Sequence, residues 1–202
     1  LPFTDVAAFL STALAIYCTV PYIQAILKGK TKPHQLSWLV FVIVDGIVLF
    51  SQYLSGGRES ILISLTFFIG GVIIFLLSLK WGTRDSSKWD WFLFLFALSA
   101  IVIWCWTRSN DVAIWLTLLI DLAASAMIIL KVKSEPHSED PYPWVLAAAA
   151  YVFSCLTLVG QPLGILYVRP AFGLISNAAL AGFIYLSRKR MARSVEISPL
   201  EL

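Results

Sequence analysis

The stretch Ile26–His34 (ILKGKTKPH) returns as Ile129–His137 (ILKVKSEPH), with six of nine positions identical and a tryptophan, Trp38 or Trp144, after each copy. Each copy joins one long apolar stretch to another. A match that recurs after about a hundred residues marks a duplicated unit. In an apolar chain, duplication points to a carrier built from two helical bundles around a shared site.

The composition is that of a polytopic membrane protein. Hydrophobic residues make up 59% of the chain and charged ones 13%, against about 25% charged in a soluble domain, and the mean hydropathy is +0.82. The lipid bilayer is thus the first expected partner. Runs able to cross roughly 30 Å of hydrocarbon fall at Phe3–Leu27, Trp38–Leu54, Ile61–Leu79, Trp91–Thr107, Val112–Leu130, Trp144–Val159 and Ile165–Leu186. The expected fold is therefore an all-α membrane protein of seven transmembrane helices. Short connections carry turn residues: Gly56-Gly57, Ser109-Asn110, Pro141-Tyr142-Pro143 and Gly160-Gln161-Pro162. Cys18, Cys105 and Cys155 all lie in apolar segments, where small buried or lipid-facing thiols are expected, not a disulfide framework. No basic n-region precedes the first span, so no cleavable signal peptide is expected.

Positive charge sets the orientation. Twelve Lys and Arg residues fall on one side (Lys28, Lys30, Lys32, Lys80, Arg84, Lys88, Lys131, Lys133, Arg188, Lys189, Arg190, Arg193) and two, Arg58 and Arg108, on the other. That places the N-terminus outside and the C-terminus in the cytoplasm. All eight tryptophans sit near span ends, as in an aromatic belt: Trp38, Trp81, Trp89, Trp91 and Trp144 inside, Trp104, Trp106 and Trp115 outside. With matching loops after the first and fifth helices, the simplest architecture is three plus one plus three. Two parallel three-helix bundles, residues 1–80 and 111–190, are joined by a linker helix within 81–110, and a cytoplasmic tail follows over 191–202.

This layout resembles the PQ-loop and SWEET superfamily of small-solute transporters over nearly the whole chain. The best local match is Pro21-Tyr22-Ile23, then Lys30-Thr31-Lys32 and Gln35-Leu36-Ser37-Trp38, similar to the family's proline near the cytoplasmic end, basic turn and Leu-Ser before the next helix. GKTKPH followed by Ser-Trp also resembles a group of bacterial inner-membrane proteins of this size, which implies that location. The chain departs from the pattern at Tyr22, where the family has Gln, at Ala124, opposite Pro21, and in having no proline inside helices 2 and 6. These departures weigh against a sugar facilitator more than against the family.

Helical spacing then selects site residues. Helix 1 offers Tyr17, Pro21 and Gln24; a proline within a span frees a carbonyl for a cavity, or simply kinks the helix. Helix 2 aligns Trp38, Asp45 and Gln52. A carboxylate at membrane depth costs about 2.5–3.5 kcal/mol, so Asp45 is expected either to carry protons or to pair with a neighbouring helix; some proton-coupled PQ-loop members have an Asp that it resembles. Helix 5 aligns Thr117, Asp121 and Ser125, and puts Asp121 near the midplane as well. Two such carboxyls suit proton carriage or a cation. Helix 6 contributes Tyr151, aligned with Asp45, together with Ser154. Helix 7 shows Arg169, Gly173 and Asn177 on one line. Arg169 is expected to snorkel outward, or else to pair with Asp121 or bind an anionic group. Asn177 resembles the substrate-contacting Asn of SWEET helix 7, and matching Lys80 to Lys189 sets Phe68 opposite it. His34 and His137, in the inner loops just before helices 2 and 6, serve loop packing or helix entry, or form a pH-sensitive inner gate.

The expected function is a secondary transporter or facilitator of a small polar solute, proton-coupled through Asp45 or Asp121. A seven-helix receptor or sensor is the alternative, since architecture alone does not separate the two. An enzyme is not expected: the chain has no paired-His metal motif, no Gly-x-Ser-x-Gly elbow and no Cys/His pair at membrane depth. No cofactor and no metal are expected. No nucleic-acid partner is expected either, because no basic, aromatic-interleaved surface is present. A homo-oligomer is compatible with the pattern.

Overall fold

Apolar side chains all around a segment leave its backbone no partner but itself, and the helix is the form that satisfies every N–H and C=O locally. The computed structural model, which describes residues 2–54, 58–83, 86–107, 110–160 and 165–197, accordingly consists of seven helices. They are α1 (Phe3–Leu27), α2 (Gln35–Leu54), α3 (Arg58–Trp81), α4 (Lys88–Thr107), α5 (Asn110–Ser134), α6 (Pro141–Leu156) and α7 (Ile165–Ile197). Stretches within α1, α3, α4, α5 and α7 are long and apolar enough to cross a membrane. The apolar stretches of α2 and α6 are shorter: α6 has 16 residues, about 24 Å at 1.5 Å per residue. Large apolar side chains cover the outside, with Phe9 72% and Trp106 87% exposed. An apolar exterior of this extent is that of a helical membrane protein.

The termini of the helices follow from local chemistry. α1 ends where Gly29 takes a left-handed φ of +68°, letting the Lys28 and Lys30 N–H groups close on the carbonyls of Gln24 and Ala25. Ser87 and Asp90 form a reciprocal cap at the start of α4, the Ser87 N–H donating to Asp90 Oδ2 (2.7 Å) and the Asp90 N–H to Ser87 Oγ (3.1 Å). Pro141-Tyr142-Pro143 does not form a free turn as expected; it opens α6, with Asp140 as cap and Pro141 in the first turn, where a missing N–H costs nothing. The expected tail from residue 191 is likewise helical as far as Ile197, as the end of α7. Gly56-Gly57, Ser109 and Gln161-Pro162 lie outside the described residues.

Within the first group α3 packs against both α1 and α2, and within the second α7 packs against both α5 and α6. The groups meet along α1–α6 and α2–α5, and α4 rests on α5 with a narrow contact to α2. Exchanging α1, α2 and α3 for α5, α6 and α7 leaves the contacts among these six helices unchanged, whereas those of α4 have no counterpart. One polar bond ties the α1–α6 seam far from the loops: Ser11 Oγ donates to the Ala150 carbonyl at 2.8 Å.

The Lys-rich connections gather at one end. The Lys32 N–H donates to the Ser138 carbonyl (2.9 Å), bringing the two copies of the repeated motif together, and the Thr83 N–H donates to the Pro33 carbonyl (3.0 Å).

Candidate functional site

Between the two groups lies a cavity of about 100 Å³. Its walls come from six helices: Cys18, Thr19 and Tyr22 of α1; Trp38, Phe41 and Asp45 of α2; Phe67, Gly70, Gly71 and Ile74 of α3; Asp121 and Ser125 of α5; Pro143, Trp144, Ala147 and Tyr151 of α6; Arg169, Gly173, Ser176, Asn177 and Leu180 of α7.

At the end away from the basic loops, Arg169 reaches both membrane-depth carboxylates. Its Nη1 donates to Asp121 Oδ2, and its Nη2 lies 3.5 Å from Asp45 Oδ1. All three side chains are less than one-fifth exposed. Arg169 therefore does not snorkel: two carboxylates hold it inside, and in a low-dielectric interior a guanidinium stays where its charge is matched. The cluster carries two formal negative charges against one positive. Asp121 is the firmly paired carboxylate and Asp45 the loosely held one.

Towards the basic end the cavity narrows onto an aromatic floor. Tyr22, Trp38, Phe41 and Trp144 pack with ring centroids 5.0–6.4 Å apart. Trp38 Nε1 donates to the Tyr22 hydroxyl at 3.2 Å, and that hydroxyl donates to Glu139 Oε2 at 2.8 Å. Glu139, fully buried, also accepts from Lys131 Nζ. Lys131 in turn donates to the Lys32 carbonyl (2.6 Å), and Arg188 Nη2 to the Glu139 carbonyl (2.5 Å). The Glu139 carboxylate thus joins α1 to α5, and its main-chain carbonyl and Lys131 extend the link to α7 and to the first copy of the motif.

The side wall is built on small residues. Tyr151 stacks face to face on Phe67, centroids 5.3 Å apart. Its ring fits because position 173 is glycine: a Cβ there would lie 2.5 Å from the tyrosine ring. Asn177 turns its Nδ2 to the Gly173 carbonyl at 2.7 Å.

Of the residues selected from sequence, Trp38, Asp45, Asp121, Ser125, Tyr151, Arg169 and Asn177 line this cavity. Tyr17 and Gln24 are exposed on the outside of α1, and Pro21 is not on the wall. The inner face of α1 is Cys18, Thr19 and Tyr22, one residue or about 100° around the helix from the expected stripe. Thr117 and Ser154 are off the wall too, a turn past Asp121 and Tyr151 and farther from the basic end. The Gln52 side chain lies outside the described residues, as does that of Trp104. Phe68, matched to Asn177 from sequence, is off the wall and packs against Gly46; its neighbour Phe67 reaches the cavity.

Of the seven tryptophans whose side chains are described, two leave the expected belt. Trp38 and Trp144 point inward, whereas Trp81, Trp89, Trp91, Trp106 and Trp115 are exposed. The three cysteines are free. The matched histidines diverge: His137 is exposed, while His34 is buried and caps α2, its Nδ1 accepting from the Ser37 N–H (3.4 Å). Its Nε2 lies 3.8 Å from Asp90. Burial pushes the imidazole below its ordinary value of 6.5, against the opposing pull of Asp90 and with the help of Lys131.

The wall positions recur at fixed spacings. Cys18 and Tyr22 stand 103 residues before Asp121 and Ser125; Trp38, Phe41 and Asp45 stand 106 before Trp144, Ala147 and Tyr151. Phe67, Gly70, Gly71 and Ile74 stand 106 before Gly173, Ser176, Asn177 and Leu180. In this register Asn177 is opposite Gly71. No protein-family model, curated protein or solved structure matches this chain.

Proposed function

We propose that the chain is a proton-coupled secondary carrier for a small polar solute, a seven-span member of the PQ-loop and SWEET superfamily in a bacterial inner membrane, whose two parallel bundles alternate access around the central cavity. The observation that carries this reading is the Asp45–Arg169–Asp121 cluster. It joins α2 of one bundle to α5 and α7 of the other at membrane depth, where unmatched charge is costly and seldom without use. The exchange-symmetric contacts among the six bundle helices and the nine wall positions that recur at 103 or 106 residues support descent of both bundles from one unit.

A carrier needs a link across the bundle interface on each side of its site. The ion cluster supplies one, and the Tyr22–Glu139–Lys131 hub supplies the other. Protonation of Asp45, the loosely held carboxylate, would weaken the first link and leave Arg169 to Asp121. Solute binding and proton transfer thereby act on the same bundle contact, as coupling requires.

The test is flux in sealed proteoliposomes loaded with a pH dye. Addition of a metabolite pool should drive solute uptake together with a change of internal pH, and D45N should abolish that change. A solute that raises the melting temperature but never crosses the bilayer would establish the receptor alternative instead.

A further inference from the structure

The cavity holds more negative than positive charge. Asp45 and Asp121 face one guanidinium, and among the described residues no Lys or other Arg is on the wall. A solute of charge +1 completes that balance, whereas a zwitterion or a sugar leaves one carboxylate in excess. The aromatic floor supports the same sign, because the faces of Trp, Tyr and Phe attract cations.

A second observation points to a ligand independently. Trp144 lines the cavity, is 7% exposed, and its indole Nε1 has no hydrogen-bond partner. The neighbouring indole, Trp38, spends its N–H on Tyr22. A buried donor without an acceptor is costly, so such groups generally have a partner. Trp144 is on the cavity wall, so an oxygen on whatever occupies the cavity is the acceptor assigned to it below.

Taking the cavity as a solute site, as in the carrier reading above, we propose that its ligand is a small organic monocation bearing an oxygen acceptor, the chemistry of an amino alcohol. Its ammonium neutralises the surplus carboxylate at Asp45, and its oxygen accepts from Trp144 Nε1.

Calorimetric titration of the purified full-length protein tests this with defined probes. Ethanolamine and choline should bind saturably, propylamine, a cation without oxygen, more weakly by roughly three- to ten-fold, and glycine and glucose not measurably. W144F keeps the ring and removes the N–H. It should reduce ethanolamine affinity to that of propylamine and leave propylamine unchanged. D45N should weaken both amines about ten-fold or more. Binding of glucose or glycine in preference to the amines overturns the proposal, and so does a W144F effect of equal size on ethanolamine and propylamine. Counterflow in proteoliposomes separates this outcome from the carrier reading. Amine binding without flux removes the carrier and keeps the ligand class; flux of glucose or glycine keeps the carrier and removes the ligand class.

Discussion

Replacing Arg169 with glutamine leaves Asp45 and Asp121 on the cavity wall with no guanidinium between them. The formal charge of the cluster goes from −1 to −2, and both contacts of Arg169 disappear. Breaking a buried pair by removing one partner costs about 3–5 kcal/mol, because the remaining charge stays desolvated. For a chain of this size each kcal/mol moves the melting temperature by about 2–4 °C, so R169Q should melt about 6–20 °C lower. Fluorescence of the tryptophans during heating of the detergent-solubilised protein reads the shift. The double variant R169Q/D121N returns the cluster to −1 and should recover at least about half of the loss. D45N removes the surplus charge and only a 3.5 Å contact and leaves Arg169 paired with Asp121, so it should cost less than R169Q. An R169Q melting temperature within a few degrees of the parent, or a double variant no better than the single, would show that the guanidinium does not hold the carboxylates. Arg169 would then belong at the membrane surface.

Three further outcomes follow from the geometry. G173A places a methyl 2.5 Å from the Tyr151 ring, so it should cost about 1–3 kcal/mol by overpacking, and Y151A in the same chain should relieve it in the same melting assay. E139A strips the partner from Lys131 and the acceptor from Tyr22 and should cost about 3–5 kcal/mol, with E139Q, which can still accept from Tyr22, closer to the parent. For His34 the folded state holds the imidazole below 6.5, so the unfolded chain binds the proton more readily. The stability His34 contributes is complete above pH 6.5 and is lost as the pH falls towards the folded value. Denaturation curves across that range should therefore be flatter for H34Q than for the parent.

The polar centre was legible in part. Asp45 and Asp121 stand out because a carboxylate at membrane depth is expensive, but nothing along the chain shows that both reach one arginine. That meeting is a tertiary fact, set by the packing of α2 on α5 and of α5 on α7. The inner face of α1 differs from the stripe expected from spacing for a physical reason. Soluble helices reveal their inner face by contrast with a polar outer one, whereas this helix is apolar all round, and its few polar residues need not point inward. Tyr17 and Gln24 face out, and Cys18 and Tyr22 face in.

Trp144 was assigned to the lipid interface because a tryptophan at a helix end fits either an interfacial belt or a cavity floor. Its counterpart Trp38, on one line with Asp45 along helix 2, is the sequence signal that favours the floor. The Phe68–Asn177 match failed because it was anchored on the basic ends of α3 and α7. Those helices differ in length, 24 and 33 residues, so their ends do not share a register. Glu139 also had a trace in the sequence. The second copy of the motif spaces His137 from Trp144 by Ser138, Glu139 and Asp140 beyond what separates His34 from Trp38, and that insertion carries the carboxylate at the centre of the lower hub.

Side-specific access to the cavity measures the proposed alternation without knowledge of the solute. Ser125 lines the cavity between the ion cluster and the aromatic floor, and S125C in a chain with Cys18, Cys105 and Cys155 replaced offers one thiol to a membrane-impermeant reagent. If the two bundles alternate, the thiol reacts in right-side-out and in inside-out vesicles, and D45N, by weakening the outer link as protonation would, shifts the ratio of the two rates. Labelling from one side only, unchanged by D45N, would contradict alternating access and leave a binding protein without transport.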